Sequence, residues 1–152
     1  MKKIVFLVLS IVLSIGAFAQ TKGDNKVAKS ILGEYEAVQG SDHFKARITQ
    51  NADGTFKGQV YWLEKDKDEN GAKILDVKNS DKNLSKLPAD QVVLFDGLQY
   101  NSKKSRWDGT KIYDPQRGLK ANMEAKFQDD GKLMIEGSVL FISEKVYWTK
   151  IK

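Results

Sequence analysis

The sequence predicts an all-β fold: an antiparallel barrel of eight strands, with a short helical turn ahead of it and one long loop excursion. Apolar residues recur with period two through most of the chain after residue 32, and short turn signals separate the runs. Eight such runs are present, a number that closes a small barrel.

Taken in order, the chain opens with Lys2 and Lys3, an apolar run from Ile4 to Ile15 interrupted by Ser10 and Ser14, and then Ala17-Phe18-Ala19. This is the pattern of a secretory signal peptide cut after Ala19. Residues 1–19 are therefore expected to be removed, and residues 20–152 to fold as a single periplasmic or secreted domain. The run falls short of the ~20 apolar residues of a spanning helix. No second apolar span follows, so the mature chain carries no expected membrane span. Cysteine is absent, and an exported domain of this size must then rest on its core without disulfides. Without Lys2 and Lys3 the balance is 23 basic to 20 acidic residues, interspersed, which argues against nucleic acid as a partner. A monomer is expected.

In the mature chain, Asp24 or Asn25 is placed to cap a short helical turn with Val27, Ala28 and Ile31 on one side, ended by Gly33. Strands follow over 32–38, over 44–49 with Phe44, Ala46 and Ile48 on one face, and over 56–63 with Phe56, Gly58, Val60 and Trp62 aligned. Asn51-Ala52-Asp53-Gly54 reads as the hairpin turn between the last two. Further strands are read over 92–100, 106–113, 119–127, 133–139 and 146–151. In the clearest of them Leu119, Ala121, Met123, Ala125 and Phe127 face one way. Only 64–90 breaks the pattern: it is charged, lacks sustained alternation and reads as a long surface excursion in which Leu84 and Leu87 share one side of a helical turn. Loops of that length inside a compact domain usually carry function or mobility.

The most distinctive stretch is R-W-D-G-T-K-I-Y-D-P-Q-R-G from Arg106 to Gly118. By period two, Trp107, Lys111 and Tyr113 should share a face, with Asp114-Pro115 and Gly118 forming the turn that follows. Together with I-L-G-E-Y at Ile31, D-G-T-F-K-G-Q-V-Y-W-L at Asp53 and Y-W-T-K at Tyr147, it resembles domain-of-unknown-function family 2147, secreted bacterial proteins, over essentially the whole mature chain. Trp107, Gly109, Tyr113, Asp114, Pro115 and Gly118 carry the family motif. The resemblance implies a lipocalin-like (calycin-type) barrel with no established activity. The chain departs from the family pattern at Ser85, Leu87 and Pro88, at Leu119 to Ala121, and near Glu144 and Lys145. The same likeness pairs Gly33 and Tyr35 with Lys150 as a plug beneath the barrel, the tyrosine ring under the lysine stem and both polar ends wet.

Few residues offer catalytic chemistry. His43 is the only histidine, no thiol exists and no Gly-x-Ser-x-Gly is present, so no catalytic residue is assigned. The loop Asp66-Lys67-Asp68-Glu69-Asn70-Gly71 spaces Asp66, Asp68 and Asn70 as oxygen ligands for calcium, although the twelfth position holds Val77 rather than glutamate. No other cofactor is expected. The favoured reading is a noncatalytic envelope protein binding a small, largely apolar molecule inside the barrel, lined by Phe56, Val60, Trp62, Met123 and Phe127. The rival is an accessory or stress protein with a packed barrel that meets an envelope protein partner through the 64–90 excursion.

Overall fold

The computed structural model describes residues 22–152, so the expected signal peptide and its cleavage point lie outside the described residues. Among the described residues, one helix, α1 (Lys22–Lys29), precedes nine strands: β1 (Gly33–Gln39), β2 (Asp42–Gln50), β3 (Phe56–Leu63), β4 (Val93–Asn101), β5 (Arg106–Asp108), β6 (Lys111–Asp114), β7 (Leu119–Phe127), β8 (Leu133–Val139) and β9 (Ile142–Lys150). Each pairs antiparallel with its neighbours in the order β5-β4-β3-β2-β1-β9-β8-β7-β6, and a β5–β7 bridge closes the ring. The expected eight strands are present, because β5 and β6 are two halves of the strand read over 106–113.

The break between those halves has a consequence the period-two reading missed. Trp107 pairs with Ala125 and Lys111 with Asn122, so four steps on one side match three on the other. Gly109, at φ +90°, supplies the backbone turn this bulge needs. A one-residue slip moves every later side chain to the opposite face. Trp107 therefore points inward, Ile112 takes the inner position opposite Ala121, and Tyr113 shares its face with Lys120. The expectation that Trp107, Lys111 and Tyr113 lie together is not met, and Lys111 is exposed.

A second bulge lies in β3. Ala46 faces Val60 while Lys45 faces Trp62, so Tyr61 is the extra residue. Leu63 regains the inner face opposite Phe44, and Trp62 turns outward.

Inside, aromatic rings occupy the barrel. Trp148 on β9 contacts Tyr35, Phe44 and Phe95 with ring centres 5.9, 5.7 and 6.4 Å away. Trp107 lies between Tyr100, tilted at 5.0 Å, and Phe127, edge-on at 5.7 Å. Gly58 is small because Phe95 takes its space: a Cβ there would overlap the Phe95 ring.

α1 closes one end. Ala28 and Ile31 are buried, the indole Nε1 of Trp107 donates to the Ala28 carbonyl (3.1 Å), and the Tyr35 hydroxyl donates to the Ile31 carbonyl (2.7 Å). Lys150 Nζ stands 5.8 Å from the Tyr35 ring centre and donates to the Ser30 carbonyl (3.0 Å). The plug is thus formed, but the Tyr35 hydroxyl is buried on a carbonyl instead of wet, and burial raises its pKa. Helix α1 begins earlier than expected, placing Asp24 in its first turn, where a carboxylate opposes the positive helix end, and Val27 is exposed.

Candidate functional site

The opposite end of the barrel gathers the β1–β2, β6–β7 and β8–β9 turns with the excursion from residue 64 to residue 92. The excursion is held as an ordered cover. Lys67 bridges Lys73 and Leu75 bridges Pro88, and short 3-10 turns form at Leu84–Lys86 and Ala89–Gln91. Leu84 and Leu87, expected to share a buried side, are both exposed because a three-residue 3-10 turn has no continuous inner stripe.

What pins the cover is a buried polar pair. The Tyr113 hydroxyl donates to Asp76 Oδ1 (2.8 Å), Asn79 Nδ2 donates to Asp76 Oδ2 (2.8 Å), and the Asp76 amide donates to the Leu87 carbonyl (3.0 Å). Asp76 is only 4 % exposed, and it is the one charged residue in the core of the described residues. Burial, reinforced by the Asp76 carboxylate, raises the Tyr113 pKa. Gln116 joins two of the turns, with Nε2 donating to the Gln39 carbonyl (3.0 Å) and to Asp42 Oδ2 (2.6 Å). Lys78 Nζ donates to the Gln116 carbonyl and ties that turn to the excursion.

Between cover and rim lies a cleft of about 320 Å³. Leu63, Ile74, Leu75, Val77, Ala89 and Pro115 supply its apolar wall, and polar and charged residues complete the lining, among them Asp42, His43 and Gln116 from the rim and Lys65, Asp76 and Lys78 from the excursion. His43 Nε2 lies 2.7 Å from Glu36 Oε1, and Nδ1 lies 3.8 Å from Glu64 Oε1. A cleft that combines an aliphatic wall with polar and charged groups can hold a small organic molecule by burial and orient it by hydrogen bonds.

The residues expected to line an inner cavity divide differently. Phe56, Val60 and Met123 are buried in one core cluster, against which Phe127 packs partly buried. Trp62 does not join them. The β3 bulge places it on the outer wall, 36 % exposed, edge-on to the His43 ring at 5.2 Å with Lys45 Nζ 4.8 Å from its centre. The same bulge lets the Tyr61 hydroxyl donate to Glu34 Oε2 (3.0 Å), and Arg47, first, with Tyr61 holds that carboxyl below the usual range.

Motif residues serve both ends of the barrel. Trp107 packs at the floor, Gly109 makes the bulge, and Tyr113 clamps the cover. Asp114 Oδ1 accepts the Gln116 amide (2.9 Å), Pro115 lines the cleft, and Gly118 turns at φ +67°.

Asp66, Asp68 and Asn70 are engaged separately. Asp66 Oδ2 pairs with Lys73 Nζ (2.6 Å), which also pairs with Asp90 (2.5 Å). Asp68 Oδ1 accepts the amides of Asn70 and Ala72 (both 2.9 Å), so it shapes the turn. Among the described residues no group of three or more His, Cys, Asp or Glu suits a metal ion. Sequence spacing alone suggested calcium because an acidic turn and an ion-binding loop use the same residue types.

Period two could not reveal the cleft, since its wall comes from non-repeating segments. The length of the excursion was the one signal pointing there.

Residues 33–150 match the bacterial family described as "Uncharacterized protein conserved in bacteria (DUF2147)". Among solved structures, the chain is similar to protein HP1028 from Helicobacter pylori, described as belonging to the lipocalin family, with 18 % identity and a TM-score of 0.61. The likeness covers 80 % of this chain and 82 % of that one, and it is a likeness of fold. No curated protein matches the sequence.

Proposed function

The chain belongs to the DUF2147 family of bacterial proteins, with a lipocalin-like barrel, and from that premise we propose that it is an exported, noncatalytic envelope protein that binds a small, largely apolar molecule in the cleft at the barrel mouth. The observation carrying this reading is the contrast between the barrel's axis and its mouth. The axis is occupied by Trp148, Phe95, Phe44 and Tyr35, while the mouth holds about 320 Å³ with aliphatic side chains along part of its wall. That volume lies within the range of small-molecule sites, which begin near 300 Å³. A noncatalytic role rests on the sequence, which offers a single histidine, no thiol and no Gly-x-Ser-x-Gly. Export rests on the Lys2 to Ala19 pattern, and N-terminal sequencing of protein recovered outside the cytoplasm should begin at Gln20.

The test uses an environment-sensitive fatty-acid analogue. Trp62 touches His43 and precedes Leu63, both at the cleft, so its emission should change saturably as the analogue binds. Ala89→Trp, which fills the cleft, should weaken binding about tenfold or more, read through the analogue's own fluorescence. Equal binding by Ala89→Trp would move the site elsewhere, and no saturable response in the wild type would count against ligand binding of this class.

A second reading, an accessory protein acting through an envelope partner, is favoured by Val77, Leu84 and Leu87, which stand exposed on the excursion. Cross-linking in intact cells would distinguish it by yielding one protein joined through the 64–92 segment.

A further inference from the structure

The β8–β9 hairpin ends in an apolar knob. Ser138 and Ser143 pair across the hairpin, Val139 and Ile142 pair above them, and Leu140-Phe141 form the turn. Leu140, Phe141 and Ile142 are 90, 102 and 78 % exposed, so these side chains project away from the rest of the protein. Hairpin turns usually hold glycine, asparagine or aspartate, and Leu140 adopts φ +53°, a conformation leucine disfavours. The turn thus carries large apolar side chains where backbone preference calls for small or polar ones.

Two features of the surroundings define what this knob fits. Strand β9 leaves β1 early, since their ladder is limited to Tyr35↔Lys150 and Glu36↔Thr149, so the upper hairpin stands apart from that wall. On the other side, the β7–β8 ladder reaches Asn122↔Ser138, and Lys120 and exposed Leu119 continue β7 to the level of the tip. Lys111, opposite Asn122, lies one strand further round. Lys145 is paired with Glu136, and Arg117 with Asp114 and Glu144. Lys111 and Lys120 are exposed and form no ion pair among the described residues.

We propose that the Val139–Ile142 tip seats this end of the barrel on an anionic lipid surface. A convex knob of four residues is far smaller than the roughly 800 Å² per partner of a stable protein interface, which disfavours a second copy. A bilayer accepts such a wedge: apolar side chains enter the acyl boundary while lysines stay with anionic headgroups. The bracketing serines suit the headgroup level. If the cleft also binds an apolar molecule, which rests on the reading above, its opening at the same end would let that molecule exchange with the bilayer.

The experiment is cosedimentation of the whole chain, as its own cells produce it, with vesicles of phosphatidylglycerol and phosphatidylcholine or of phosphatidylcholine alone. Wild type should partition to the anionic vesicles and weaken at high salt. Phe141→Asp should reduce partition about tenfold or more, the effect of withdrawing one large apolar side chain. Lys120→Glu should reduce it about fivefold or more on anionic vesicles and little on neutral ones. Phe141→Trp should shift its emission to shorter wavelength on vesicle addition. Because Phe141 is fully exposed, these tip variants should melt at the wild-type temperature. Unchanged partition of Phe141→Asp would overturn the proposal, as would light scattering that showed a wild-type dimer dissolved by Phe141→Asp with no vesicle binding.

Discussion

The Tyr113 hydroxyl and the Asp76 carboxylate, 37 residues apart in sequence, meet at 2.8 Å and fasten the excursion to the barrel wall. The contact exists because a bulge at Gly109 rotates Tyr113 away from the face it would have shared with Trp107. Tyr113→Phe should therefore destabilise the protein by about 1–3 kcal/mol, the cost of leaving one buried acceptor short of a donor. Amide exchange should rise over residues 74–79 before it rises in β7, and equal protection in wild type and variant would count against the clamp.

The same pair sets an alkaline limit. The folded-state pKa of Tyr113 is raised by burial and by Asp76, so the stability it contributes is complete below the unfolded tyrosine value of about 10 and is lost as pH rises above it. Phenolate absorbance followed against pH should show Tyr113 ionising above the free tyrosine value of about 10, together with loosening of the cover. A Tyr113→Phe spectrum that lost a group ionising near that free value would refute this.

Gly58 and Phe95 should prove mutually dependent. Gly58→Ala is expected to destabilise by about 1–3 kcal/mol through overpacking, and Phe95→Leu in the same chain should recover part of the loss. Denaturant titration of the two single variants and the double variant measures the coupling, and strict additivity would mean that the space beside Gly58 is open.

Tryptophans on the two faces should differ sharply. Trp148→Ala, which empties the aromatic centre, should cost about 3–5 kcal/mol, whereas Trp62→Ala on the outer wall should cost about 1 kcal/mol or less. Urea midpoints decide the matter, and equal losses would return Trp62 to the interior.

Calcium should leave the melting temperature unchanged at millimolar concentration, because Lys73 already neutralises Asp66 and Asp68 caps its own turn. The Lys73 pairing lowers the Asp66 pKa, so its contribution is present above the unfolded carboxylate value of about 3.9 and fades as pH falls below it. A metal-dependent rise lost in Asp68→Ala would reverse this view.

How much was legible beforehand follows from what period two can and cannot encode. It located the strands because each has one buried face, and it turned Phe56, Val60 and Met123, read as lining an inner cavity, toward the interior, where they are buried in the core cluster. It failed at Trp62 and Tyr113, one bulge beyond the point where counting began, since alternation carries no mark of an inserted residue. Gly109 was visible in the motif, but a glycine in a strand region marks a turn or a bulge equally well. The cleft depends on contacts such as Gln116 to Asp42 and Tyr113 to Asp76, which join segments with no shared local pattern. The filled axis was equally hidden, because Ala46, Gly58 and Ala125 suit a cavity or a tightly packed taper, and only the position of Phe95 decides beside Gly58.

Native mass spectrometry of protein purified from its own envelope tests the mouth-cleft site most directly. Wild type should carry a discrete added mass of a small organic molecule, and Ala89→Trp, purified in parallel and equally folded, should lack it. Bare wild-type protein, or an adduct retained in full by Ala89→Trp, would contradict the site.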